Sequence, residues 1–167
     1  YRLANALLAK GLKRQERVAI LARNCSEYIE LFGACEVAGF VAINLNSRLA
    51  ERELAAICQD SQPAVLIHAK EFAATAASLA SQVSSIRIRI GIDTDDGTAL
   101  SFEQLIAGAG DELPATSAAP HEMAYLMYTS GTTGGAKGVM ISHGAMAEAT
   151  RMLSAESGID ASDKALI

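Results

Sequence analysis

Cysteine is scarce in this chain. Its three residues, Cys25, Cys35 and Cys58, are odd in number, widely spaced and without a C-x-x-C pair. That excludes a disulfide framework or a zinc knuckle. The three read instead as small apolar residues kept reduced, which is the basis for expecting a cytoplasmic protein. Histidine is equally sparse. His68, His121 and His143 share no spacing that would chelate a metal, and His143 reads as a helix-start residue. An excess of positive charge is also missing: the formal net charge is −5, which argues against nonspecific binding to nucleic acid or anionic membrane. No apolar run approaches the roughly 18 residues of a membrane span, and no charged start followed by an apolar core resembles a signal peptide.

The residues that are present suit a folded domain. Half of the 167 residues are hydrophobic and a fifth are charged, far from the composition of disorder. A chain of this length buries about 68–70% of the surface its unfolded form exposes. The hydrophobic pattern alternates helix and strand. Leu3, Leu7 and Leu8 fall at helical spacing before Gly11, and Val18-Ala19-Ile20-Leu21 comes next as a strand. Asn24 and Glu27 have capping-box spacing, so Asn24 is read as a helix cap rather than the glycosylation acceptor that Asn24-Cys25-Ser26 spells. The next helix shows a face at Tyr28, Leu31, Phe32 and Cys35, and Gly39 closes it.

A strand at 40–45, a helix with Leu54, Ile57 and Cys58 on one face, and a short apolar run from Ala64 to His68 repeat the pattern. A helix over Glu71–Ser81 precedes Ile86-Arg87-Ile88-Arg89-Ile90. Its strict alternation predicts a strand near the sheet edge, with isoleucines on one face and Arg87 and Arg89 solvated on the other. Strands joined by helical crossovers imply an α/β fold, a partly parallel sheet with helices on both faces. The run from Asp93 to Gly97 is a turn and not a calcium loop, because Thr98 stands where that loop needs glycine. Gly108-Ala-Gly110 fails as a dinucleotide fingerprint, since Leu113 occupies the third small position. The organisation expected is therefore an alternating region over 1–113, a linker at 114–121, and a strand, loop, strand and helix over 122–167.

The unusual chemistry lies between the strands expected at Met123–Tyr128 and Gly138–Ile141. Tyr128-Thr-Ser-Gly-Thr-Thr-Gly-Gly-Ala-Lys-Gly138 holds four Ser/Thr hydroxyls, four glycines and one lysine. Gly131, Gly134, Gly135 and Gly138 permit the close backbone approach that turns N–H groups inward as an anion-binding nest. Thr129, Ser130, Thr132 and Thr133 add neutral donors, and Lys137 supplies the positive charge that offsets a polyphosphate. A nucleoside triphosphate is the ligand this mixture suits. Because a strand rather than a helix comes after Lys137, binding is expected from nest amides, hydroxyls and lysine, not from a helix dipole. The segment is not a Walker A loop: Ala136 precedes the lysine and Gly138 succeeds it.

The segment closely resembles the Tyr-Thr-Ser-Gly-Thr-Thr-Gly-x-Pro-Lys-Gly signature of the adenylate-forming superfamily, which includes acyl-CoA synthetases, luciferases and peptide-synthetase adenylation domains. Only the proline differs, replaced here by Ala136. Val139-Met-Ile-Ser-His143 is similar to the strand and helix start that come after the signature in that family. Tyr1–Leu8 resembles the family's first helix, and Arg17–Asn24 its first strand and cap. Gly39-Phe-Val-Ala-Ile-Asn-Leu-Asn46 with Arg48-Leu49 resembles the acyl-CoA synthetase stretch, where carrier-loading domains usually show aspartate in place of Asn46.

The resemblance implies that a carboxylic acid, expected here to be a fatty acid, is activated by ATP with Mg2+ to an acyl adenylate and then passed to coenzyme A. Loading of a carrier protein and a non-catalytic nucleotide-binding module are the alternatives. It further implies that the adenine-contacting segment, the ribose-binding aspartate and the catalytic lysine lie downstream of the phosphate loop. The chain is accordingly expected to be the N-terminal portion of the large AMP-binding domain, with no catalytic residue of its own and no activity alone.

Overall fold

A computed structural model describes residues 1–94, 97, 99–116, 118–129, 136–158 and 163. It contains a seven-stranded sheet. The chain runs α1 (Arg2–Ala9), β1 (Arg17–Leu21), α2 (Glu27–Ala38), β2 (Val41–Asn44), α3 (Glu51–Ser61) and β3 (Val65–Ala69). A 3-10 turn (Lys70–Phe72) then leads into α4 (Ala73–Gln82), β4 (Ile88–Ile92), β5 (Leu100–Ser101), α5 (Phe102–Ala107), β6 (Met123–Thr129), β7 (Lys137–Ser142) and α6 (His143–Ser157). In space the strands lie β5-β4-β3-β1-β2-β6-β7. Every neighbouring pair is parallel except the β6–β7 hairpin.

The order sets where the helices go. The connection from β1 moves outward to β2, whereas the connection from β2 crosses back over β1 to β3. Crossovers of one hand that travel in opposite directions place their helices on opposite faces. Accordingly, Leu3 and Leu7 of α1, Leu31 and Cys35 of α2, and Phe102 of α5 pack with Val18, Ile20, Ile67 and Ile90. Leu54, Ile57 and Cys58 of α3, with Leu79 of α4, pack with Ala19, Leu21, Ile43 and Leu66 on the other face. Successive residues of β1 thus alternate between two cores, which is why that strand reads as an unbroken apolar run.

Several local expectations are corrected. Asn24 does not cap α2. The helix begins at Glu27, with Ser26 at its N-cap and no side-chain cap bond. The Tyr28 and Ile29 N–H groups are taken by the carbonyls of Cys25 (3.4 Å) and Ser26 (2.9 Å), so the turn closes on backbone. The strand expected at Ile86 begins at Ile88. It lies one strand in from the edge, behind the two-residue β5. Ile88, Ile90 and Ile92 share one core, while Ile86, ahead of the strand, packs in the other. Arg87 is not simply solvated: its guanidinium donates twice to Glu16, at 2.9 and 2.6 Å. Arg89 is half-buried.

The pair α5 and β5 was not anticipated. Its signal was the Ser101-x-x-Gln104 spacing: Ser101 Oγ accepts from the Gln104 N–H at 3.3 Å, an N-cap.

Candidate functional site

The hairpin begins at a joint. Gln15, with a left-handed φ of 63°, presents its amide to Met123 as a strand neighbour would. Its Nε2 donates to Met123 O (3.0 Å), and its Oε1 accepts from Met123 N–H (3.1 Å). The same Nε2 also donates to Gly39 O at 3.2 Å, tying the start of β6 to the turn before β2. Beside it, Arg14 Nε donates to Glu122 at 2.7 Å, and Glu122 also accepts from Ala119 N–H at 2.6 Å. The Arg14 hydrogen bonds, with help from the Ala119 N–H, hold the Glu122 carboxyl down at about 2. The described residues of 114–121 form no helix or strand.

From this joint β6 runs parallel to β2, with Tyr125 opposite Ala42. Its side chains alternate between the two cores. Tyr125 meets Phe32 edge-on, centroids 5.4 Å apart, and its hydroxyl donates to Glu36 at 2.7 Å. Leu126 and Tyr128 pack on the α3 side. The Tyr128 hydroxyl donates to Asp60 near the end of α3. Burial first, and then the Asp60 carboxylate, push the Tyr128 phenol well above its ordinary range, so it stays protonated.

Across the hairpin Tyr128 pairs with Gly138 and Thr129 with Lys137. A Cβ on Gly138 would lie 3.0 Å from Leu126 Cδ1 and 3.2 Å from Tyr128 Cζ, so glycine here lets the phenol lie across β7. The two strands expected on either side of the segment pair antiparallel, and Thr129 and Lys137 stand exposed and paired where they end. Of the other residues singled out for phosphate binding, Ser130, Gly131, Thr132, Thr133, Gly134 and Gly135 lie outside the described residues. His143 is the first residue of α6, as expected, and Ser142 caps that helix by accepting from Ala145 N–H at 3.2 Å. The His143 Nε2 is buried without a hydrogen-bond partner among the described residues. His68 is fully buried, with Nδ1 3.2 Å from Ala69 O.

A cleft of about 740 Å³ opens at the carboxyl ends of β1 and β2. The reversal in strand order puts it at the topological switch point of the sheet, where open α/β folds bind ligands. Arg23 and Asn24 reach it from β1, Asn44, Asn46 and Arg48 from β2, and Met127 and Tyr128 from β6. Tyr28 closes one wall, its hydroxyl 3.0 Å from Asn44 Oδ1 and 3.1 Å from Ala22 O. Asn46 Oδ1 accepts from the Arg48 N–H at 3.0 Å, an Asx turn that shapes the rim.

The sequence singled out Asn46 and Arg48 but not Arg23 or Asn44. Helix and strand alternation does not disclose strand order, and strand order is what brings those residues together. Among the described residues no three His, Cys, Asp or Glu side chains converge as a metal site. No helix among them is long and apolar enough to cross a membrane. All three cysteines are free; Cys35 and Cys58 are buried, and burial pushes the Cys58 thiol up to about 11.

The hairpin with its hydroxyl- and glycine-rich loop, beside a switch-point cleft, is matched along the whole chain. Residues 1–167 fit the family described as AMP-binding enzyme. The chain belongs to that family. It is 39% identical to the feruloyl-CoA synthase of an Amycolatopsis species over 143 residues, covering 86% of this chain and 26% of that protein. With the long-chain-fatty-acid–CoA ligase FadD13 of Mycobacterium tuberculosis it shares 34% identity over 145 residues, 85% of this chain and 27% of the relative. Among solved structures, ATP-bound MatB of Rhodopseudomonas palustris superposes with a TM-score of 0.79 at 29% identity, over 92% of this chain and 30% of that one. The chain therefore spans under a third of these relatives. Its sheet is the mostly parallel sheet of the N-terminal domain of adenylate-forming ligases.

Proposed function

We propose that this chain supplies the triphosphate-holding part of a ligase that activates a carboxylic acid with ATP and transfers the acyl group to coenzyme A. The observation that carries the reading is the placement of Thr129 and Lys137. They face each other at the mouth of a hairpin whose first strand also lines the switch-point cleft. To the segment that joins these strands we assign the phosphate contacts: the hydroxyls of Thr129, Ser130, Thr132 and Thr133, the amides of Gly131, Gly134, Gly135 and Gly138, and the Lys137 ammonium. Open α/β sheets take up nucleotides along the carboxyl ends of their strands.

In the first step a carboxylate oxygen attacks the α-phosphorus and pyrophosphate departs. The loop groups hold the β- and γ-phosphates in line and offset the charge that grows on the leaving group. Magnesium would arrive with the triphosphate and neutralise part of its charge. In the second step the thiol of coenzyme A displaces AMP from the acyl adenylate. The relatives' names divide between an aromatic acid and long-chain fatty acids, so the class of acid proposed is the carboxylic acid in general, with a fatty acid as the first to assay.

A charge-assisted hydrogen bond is worth about 1.5–3 kcal/mol. Lys137→Ala in the full-length ligase is therefore expected to slow ATP–pyrophosphate exchange roughly 10- to 150-fold. An unchanged exchange rate would remove the role given to Lys137.

A further inference from the structure

We propose that Asp60 and Tyr128 are a positioning pair that fixes the base of the phosphate loop and so sets how well ATP is held; the proposal rests on the loop reading above. Tyr128 is the last residue but one of β6, and Gly138 is the second residue of β7, so the two flank the loop. They are cross-strand partners, and a Cβ on Gly138 would sit 3.2 Å from Tyr128 Cζ and 3.3 Å from its hydroxyl. The phenol thus lies over the second strand of the hairpin while belonging to the first. Its hydroxyl then leaves the hairpin altogether and donates to Asp60 on α3, with the Ser61 hydroxyl also against it.

That end of α3 is itself anchored. Arg17 of β1 donates to Ser61 O at 2.8 Å and to Gln62 O at 2.9 Å, and Ser61 Oγ donates to Ile57 O at 2.7 Å. A chain of contacts therefore runs from the central strand of the sheet, through the end of α3, to both sides of the loop mouth. A phenylalanine at 128 would fill the same space, so the hydroxyl answers to Asp60 rather than to packing. Asp60 in turn gains nothing from its own helix, because a carboxylate in the last turn faces the negative end of the dipole.

The test is steady-state pyrophosphate exchange by the full-length ligase carrying Tyr128→Phe, Asp60→Asn, both together, Asp60→Glu, or Lys137→Ala, each with a thermal melt. The pair predicts that each of the first two raises KM for ATP about tenfold with KM for the carboxylate unchanged. The double variant should match either single, since two residues acting through one bond are not additive, and Asp60→Glu should recover much of the loss. If Tyr128→Phe does not fold, Asp60→Asn at an exposed position carries the test alone. Wild-type KM for ATP in the singles, or effects that multiply in the double, overturns the pair. Should Lys137→Ala slow exchange while the pair variants do not, only the pair falls; should Lys137→Ala also leave exchange unchanged, the loop reading falls with it.

Discussion

Glu122 takes hydrogen bonds from Arg14 and from the Ala119 N–H just where the chain enters β6. Its carboxyl is depressed to about 2 from an ordinary 4.5. The unfolded chain therefore binds this proton more readily than the folded one, and stability rises with pH across that interval. The contribution is fully present above about 4.5 and is lost as pH falls towards 2. Acid titration of folded protein, monitored by circular dichroism, should show that Glu122→Gln flattens the stability loss in this window and leaves the slope near neutrality unchanged. A variant with the wild-type acid slope would remove Glu122 from the joint. The residue was not legible in the sequence, because its partner Arg14 lies 108 positions away.

At the scale of elements, glycine positions carry the clearest requirement. Gly39 ends α2 at φ 71°, and a Cβ there would lie 3.2 Å from Arg14 Cγ. Gly39→Ala should cost about 1 kcal/mol or more in urea unfolding, from the left-handed backbone together with displacement of Arg14 away from Glu122. Gly33 in the middle of α2 meets nothing within 4 Å, so Gly33→Ala should instead stabilise by roughly 0.5–1 kcal/mol. The opposite signs within one helix make the pair a clean comparison.

The Gly39 stop was readable from sequence because helix periodicity simply runs out there. The start of α2 was not, because Asn24 and Glu27 have the right spacing for a capping box while backbone carbonyls satisfy the first turn. The same limit applies to Ile86. Its alternation with Ile88 and Ile90 is real, but sheet pairing begins only at the Val65–Ile88 register.

Over the whole molecule, the alternating pattern was enough to announce a partly parallel sheet with helices on both faces, and the apolar runs at 123–128 and 138–141 were enough to announce β6 and β7. Strand order was not legible, since it depends on the crossover back over β1 that no local pattern records. The switch-point cleft and its Arg23 and Asn44 walls therefore came only from the fold. The fold also leaves one side open. No residue of α6 is buried, Leu153 in it is 62% exposed, and Met140 of β7 is 72% exposed. A polypeptide of residues 1–167 alone is expected to yield no hydroxamate from fatty acid, ATP and hydroxylamine, because the chain spans under a third of the relatives it matches. Hydroxamate formation by that polypeptide would contradict this.

The most direct test of the central claim is calorimetric titration of ATP into the full-length protein, with the native order of residues 130–136 and with those same residues scrambled. The account predicts that affinity falls at least about tenfold on scrambling while the thermal midpoint of the parallel sheet is kept. An undiminished affinity in the scrambled protein would contradict it.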